Sequence, residues 1–190
     1  MNSRSQSFFV YFLLILAIGA MLFYGLRDST VAVKPLTINE VAQAVKDQKV
    51  ARILIASEPM EYGVLSYLER LLDGLDRQRW QPAFAFSPHR MAPQAHRLVA
   101  RLEREGVRLC RLGFRRGFGL ADVAAGAQLV AEVRAFRPDV MHVHSTKAGV
   151  IGRLAARVLG VPVLYTAHGT SWHYTGRLVG RVQLALERAL

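Results

Sequence analysis

From Arg52 onward, short apolar runs alternate with longer stretches of helical period, and this alternation restricts the chain to βαβ units closed into a parallel sheet. Strands are predicted at Arg52–Ala56, Pro82–Phe86, Val107–Arg111, Val140–His144 and Pro162–Tyr165. Helices are predicted near Val64–Leu75, Pro93–Glu105, Leu120–Phe136 and Ala148–Leu159. Right-handed crossovers place such helices on both faces of the sheet. The expected fold class is therefore α/β, a Rossmann-like parallel sheet preceded by one transmembrane helix. Open sheets of this kind bind ligands beyond the carboxyl ends of their strands, so those ends are where chemistry is sought.

The transmembrane helix is read from the uncharged run Phe8–Leu26, bounded by Arg4 and Arg27. At about 1.5 Å per residue such a run just crosses a hydrocarbon core of roughly 30 Å. A cleavable signal peptide is disfavoured because Leu26-Arg27-Asp28 offers no small-residue cleavage site. Flanking charges, Arg4 against Arg27, Lys34 and Lys46, decide little about orientation. Residues 35–50 read as a short amphipathic helix, with Thr37 or Asn39 as cap and Val41, Ala44 and Val45 on one face.

Composition changes near residue 50. Residues 1–50 hold three Lys and two Arg, whereas residues 51–190 hold a single Lys, Lys147, against nineteen Arg. Such a shift suggests a seam, whether a domain boundary, a gene fusion or a junction of two reading frames, between an anchor with its linker, 1–50, and an α/β domain, 51–190. The net charge of +11 admits nucleic acid, an anionic membrane surface or phosphorylated ligands. No aromatic-interleaved basic stripe accompanies it, and no nucleic-acid partner is expected. Cys110 is the sole cysteine, which excludes an internal disulfide and a cysteine-based metal cluster.

Three strand ends carry candidate residues. After the first strand, Gly63 lets the backbone approach a ligand, although the fingerprint G-x-G-x-x-G is absent and Glu58 and Glu61 would repel a phosphate. In the fourth strand, alternation puts Val140, His142 and His144 on one face. His142 lies deeper and reads as a hydrogen-bonded core residue, while His144 at the strand end is the one expected to face a cleft. Beyond it Ser145, Thr146 and the next helix's amides form a donor-rich turn, to which Lys147 adds a cation suited to a phosphate or acidic sugar. A capped helix with a solvated lysine is the alternative there. After the fifth strand, Gly169 allows a tight turn that presents His168. General acid/base or oxyanion-binding work suits His168 better than a zinc site built from His142, His144 and His168, since no carboxylate or cysteine completes the ligand set.

Two resemblances bear on these residues. The stretch DVMHVHSTKAGVIGRLAARVLGVPVLYTAHG, with its His-x-His, Ala-Gly, Val-Pro and Thr-x-His-Gly elements, resembles the amino-terminal half of a GT-B glycosyltransferase of the family 4 type, over about residues 52–190. The resemblance implies a saccharide or lipid-linked acceptor bound in this half, a nucleotide-sugar bound in a second half, and retaining transfer without a required metal. By position, Gly63 matches the first-loop glycine, Lys147 and Ala148 sit in the turn after the fourth strand, and His168 matches the histidine facing the donor sugar. One glycine stands where the family often has two, and the chain stops at Leu190, inside a predicted helix Leu178–Leu190, before the paired-glutamate donor motif. Residues 1–52, through LTINEVAQAVKDQKVARI, resemble the membrane leader of an FtsH-type AAA+ zinc metalloprotease, but neither G-x-x-x-x-G-K-[ST] nor H-E-x-x-H occurs.

The expectation is the acceptor-side half of a membrane-associated transferase of polysaccharide biosynthesis, inactive alone. His168 would be catalytic, and Gly63, His144, Ser145, Thr146, Lys147 and Gly169 substrate-binding. No cofactor is expected to bind tightly, nor any metal; the nucleotide-sugar belongs with the second half. The expected setting is a bacterial inner or plasma membrane with the domain on the cytoplasmic side, although a protease-type leader implies the other sidedness. Oligomeric state stays open. So do two alternatives: a membrane-anchored saccharide- or phosphate-binding module without catalysis, and a protease leader fused to an unrelated segment.

Overall fold

The computed structural model describes residues 51–115 and 119–169, together with Asn39, Glu40, Gln43, Lys46 and Asp47. Asn39, Glu40, Gln43 and Lys46 are helical, within the predicted 35–50 helix. The predicted membrane span 8–26 and the predicted helix 178–190 lie outside the described residues. Among the described residues, no helix is long and apolar enough to cross a membrane.

Five parallel strands form one sheet: β1 (Arg52–Ser57), β2 (Gln81–Phe86), β3 (Arg108–Arg111), β4 (Val140–His144) and β5 (Val163–Thr166). Their order is β3-β2-β1-β4-β5. Between them run α1 (Tyr62–Asp73), α2 (Pro93–Arg104), α3 (Leu120–Phe136) and α4 (Thr146–Leu159), with a 3-10 turn at Pro88–Arg90. The residue types set these limits. Pro93 opens α2 at a position where its missing N–H is not needed. Pro138 follows directly on the left-handed Arg137 that ends α3, and Gly160, also left-handed, ends α4.

Alternation along the strands builds two cores. Ile53, Ile55, Phe84, Phe86 and Val140 pack under α1 and α2 with Leu65, Leu68, Leu98 and Leu102. On the opposite face, Leu54, Ala56, Met141 and Val143 pack under α3 and α4 with Leu129, Val133, Ala148 and Ala155. Covered on both sides, β1 reads as an unbroken apolar run between Arg52 and Ser57, whereas β4 is apolar except for His142 at its centre and His144 at its end. α4 lies unusually close to the sheet because two of its turns present glycine. A Cβ on Gly152 would stand 2.5 Å from Val143 Cγ1, and one on Gly149 would stand 2.3 Å from the Tyr165 ring.

Strand order reverses between β1 and β4, which makes their carboxyl ends the switch point of the sheet. The chain leaves β1 for α1 on one face and β4 for α4 on the other, and it is between two such departures that open sheets bind ligands. α4 begins at Thr146, two residues earlier than expected, and Ser145 alone bridges β4 and the helix.

Candidate active site

Parallel register brings the ends of β4 and β5 together, His142 opposite Leu164 and His144 opposite Thr166. His142 and His144 point to the α1 face with Val140, as alternation predicts, and there they meet a residue that sequence reasoning missed. Tyr67, on α1, sets its ring 5.0 Å from that of His168, 5.4 Å from His144 and 6.3 Å from His142, centroid to centroid. The signal for Tyr67 was only its helical phase: Ser66 and Tyr67 fall on the side of α1 opposite the one led by Leu65 and Leu68, and Tyr67, although 40% exposed, sets its ring beside the histidines at the strand ends.

The imidazoles are engaged with neighbours and with each other. His142 Nε2 lies 2.9 Å from Thr166 Oγ1, and His144 Nδ1 lies 2.9 Å from His168 Nε2. His142 is therefore the hydrogen-bonded core residue expected of it. The expectation that His144 faces the cleft is corrected: His144 is fully buried, and it is His168 that stands exposed at the edge. Three of the ring nitrogens are thus taken up by one another and by Thr166. Among the described residues no group of three His, Cys, Asp or Glu side chains is placed to hold a metal ion. Burial, reinforced by the neighbouring His168, holds the His142 pKa down to about 4. Burial, followed by His142 and His168, takes His144 to about 2. Burial lowers His168 as well. The cluster is accordingly neutral at pH 7.

Backbone strain collects at the same edge. Among the described residues four non-glycine residues have positive φ: Tyr62 (44°), Ser145 (66°) and His168 (56°) follow β1, β4 and β5 respectively, and Arg137 lies at a helix end. Each such residue costs on the order of 1–3 kcal/mol, and strain of this kind persists where the surrounding structure over-determines it. Ser145 caps α4 without a side-chain capping bond, and its buried Oγ has no hydrogen-bond partner. Its N–H donates to the Thr166 carbonyl at 2.9 Å, which fixes β5 against the start of α4. Thr146 opens the helix beside it. Gly169, exposed, follows His168 with φ 147°. Gly63 is exposed in the first turn of α1 with nothing within 4 Å of a Cβ placed there, so no packing demands a glycine.

Lys147 differs most from expectation. Its ammonium is not presented to solvent: it lies 3.0 Å from Asp122 Oδ1, both side chains are buried, and it donates to the Arg115 carbonyl. Asp122 Oδ2 in turn accepts from the Gly119 N–H at 2.8 Å. Ser87 Oγ donates to the Phe114 carbonyl at 2.7 Å. Lys147 is thus the inner anchor of the connection between β3 and α3. The repulsion expected of Glu58 and Glu61 is also answered, since Arg90 pairs with Glu58 at 3.0 Å and Glu61 at 3.7 Å. Burial raises the Glu58 carboxyl above its usual range against the lowering pull of Arg90.

A doubly wound parallel sheet with helices on both faces, and strained loops and a histidine cluster at its switch point, defines a Rossmann-like α/β domain. Residues 62–190 match the glycosyl transferase 4-like domain, and the chain belongs to that family. A 40-residue segment is 50% identical to the Escherichia coli enzyme UDP-Gal:alpha-D-GlcNAc-diphosphoundecaprenol alpha-1,3-galactosyltransferase, over 20% of this chain and 10% of that one. Among solved structures, MurG of Acinetobacter baumannii aligns over 60% of this chain and 34% of its own, at 19% identity and TM-score 0.44. A universal stress protein of Arabidopsis thaliana, solved with AMP bound, aligns over 63% of this chain and 95% of its own, at 16% identity and TM-score 0.36. The chain thus spans about a tenth of the curated relative it matches.

Proposed function

We propose that this chain is the acceptor-side half of a membrane-associated glycosyltransferase that moves a sugar from a nucleotide-sugar to a saccharide or lipid-linked acceptor. Family membership over residues 62–190 supports the reaction class. The acceptor class is argued from the Escherichia coli relative, whose name specifies a diphosphoundecaprenol-linked sugar. The observation that carries the reading to particular residues is the Tyr67–His144–His168 cluster, an aromatic wall and an exposed imidazole at the switch point. An aromatic face with a neutral donor–acceptor ring beside it suits the alternating apolar and hydroxyl-bearing surface of a sugar.

In this reading His168 is the catalytic residue at the reacting centre. Gly63, Ser145, Thr146 and Gly169 border the acceptor, and Lys147 acts through the connection that it anchors. The nucleotide-sugar is bound by a second half facing the same edge. Residues 8–26 hold the domain at the bacterial inner membrane with the site on the cytoplasmic side, where nucleotide-sugars are found. The FtsH-like resemblance of residues 1–52 lies outside the span matched by the family.

The test is transfer of radiolabelled hexose from a nucleotide-sugar to a polyprenyl-diphosphate-linked saccharide, by membranes expressing the open reading frame that encodes residues 1–190 with its downstream sequence. Transfer that falls at least a hundredfold with His168→Ala is expected. Transfer indifferent to that substitution, or absent with every hexose donor tried, contradicts the proposal.

A further inference from the structure

The 2.9 Å contact between His144 Nδ1 and His168 Nε2 admits two arrangements of protons. Either His144 donates from Nδ1, or His168 donates from Nε2. Burial keeps His144 neutral, so its ring holds one proton, and the position of that proton decides the fate of its other nitrogen.

That other nitrogen, Nε2 of His144, is buried and has no hydrogen-bond partner. If His168 donates, the His144 proton must sit on Nε2, leaving an N–H sealed in the interior with no acceptor, an arrangement rare in folded proteins. If His144 donates, only a lone pair is left unmet there. The outer ring does not alter this choice, because His168 is exposed and its second nitrogen is not sealed in the interior as that of His144 is.

We infer that His144 is a positioning residue that fixes the tautomer of His168: His144 Nδ1–H donates to His168 Nε2, and His168 keeps its own proton on Nδ1. His168 then offers the carboxyl edge a hydrogen-bond donor, and its basic lone pair is occupied from behind. The residue is set to donate to an oxygen of a bound ligand, not to abstract a proton. That the oxygen belongs to a sugar or its phosphate rests on the transferase reading; the tautomer does not. Tyr67 and Thr166 serve the same end, since Tyr67 packs on both rings and Thr166 holds His142 beneath them.

The experiment is long-range 1H–15N correlation spectroscopy on the histidine-labelled 190-residue chain in detergent micelles at pH 7.5. Both His144 and His168 are expected as Nδ1–H tautomers, the minor form of free imidazole in water. In His144→Leu, His168 should revert to the Nε2–H form. In His144→Asn, whose amide places a donor near the former Nδ1, His168 should stay Nδ1–H. An Nε2–H signal from His144 in the unsubstituted chain overturns the inference, whether or not the variants fold. A His168 tautomer unmoved in a folded His144→Leu overturns the role of His144. Sugar transfer by a protein with the opposite tautomers leaves the transferase reading standing without this inference, and the predicted tautomers without acceptor binding do the reverse.

Discussion

Asp122→Ala is the substitution whose cost follows most directly from the structure. It leaves the Lys147 ammonium, 7% exposed, without the carboxylate 3.0 Å away. Removing one partner of a buried ion pair costs about 3–5 kcal/mol, because the other charge stays desolvated. The Arg115 carbonyl still accepts from Lys147, which puts the expected cost near the lower end, about 3 kcal/mol. An unfolding entropy of about 2.1 cal/mol/K per residue, taken over roughly 120 residues of the sheet and its helices, makes this a fall in Tm of about 12 °C. The assay is thermal unfolding of the chain in detergent at pH 7.5, followed by near-ultraviolet circular dichroism. Replacing both partners, as Lys147→Met with Asp122→Leu, removes the stranded charge. The double variant should recover most of the loss, short of the bond that Asp122 accepts from Gly119. A single variant within about 3 °C of the parent, or a double variant no better than the single, refutes the claim that this pair anchors the β3–α3 connection.

Other consequences are as specific. Gly152→Ala must displace Val143, whose Cγ1 a Cβ would approach to 2.5 Å, and should destabilise by about 1–3 kcal/mol in denaturant unfolding. Gly63→Ala meets nothing within 4 Å and should raise stability by roughly 0.4–1 kcal/mol; if Gly63 borders the acceptor, affinity falls while stability rises. The histidines make stability depend on pH. The unfolded chain takes up protons near 6.5 that folded His142 refuses until about 4, so stability falls as pH drops from 6.5 towards 4. The loss from His142 is on the order of 3 kcal/mol, and His142→Gln should flatten this limb of a Tm–pH curve. Alkaline carbonate should leave the chain in the membrane pellet, and deleting residues 8–26 should release it.

Much of the fold was legible because the strands and helices obey different periods. The limits of β4 and α3 were read to the residue, since Pro138 and the apolar run after it leave little freedom there. The boundary at α4 was missed by two residues: Ser145 adopts a φ of 66°, a conformation no local pattern announces, and the helix starts directly after it. The site was legible in part. Alternation placed His142 and His144 on one face, but which of two imidazoles is covered depends on what β5 and α1 lay over them. That is set by register between residues far apart in sequence. Lys147 shows the same limit. A lone lysine after a strand end reads as a ligand cation until the Asp122 carboxylate, contributed by another helix, claims it. Tyr67 carries no motif, and only the crossing of α1 over the switch point gives it a role.

The central claim, that this edge receives a sugar acceptor, is tested most directly by calorimetric titration of the detergent-solubilised chain with a polyprenyl-diphosphate-linked N-acetylhexosamine. Saturable binding without added nucleotide-sugar is expected, weakened at least tenfold by Tyr67→Ala and by His168→Ala in variants that stay folded. Absence of binding, or binding unchanged by both substitutions, contradicts it.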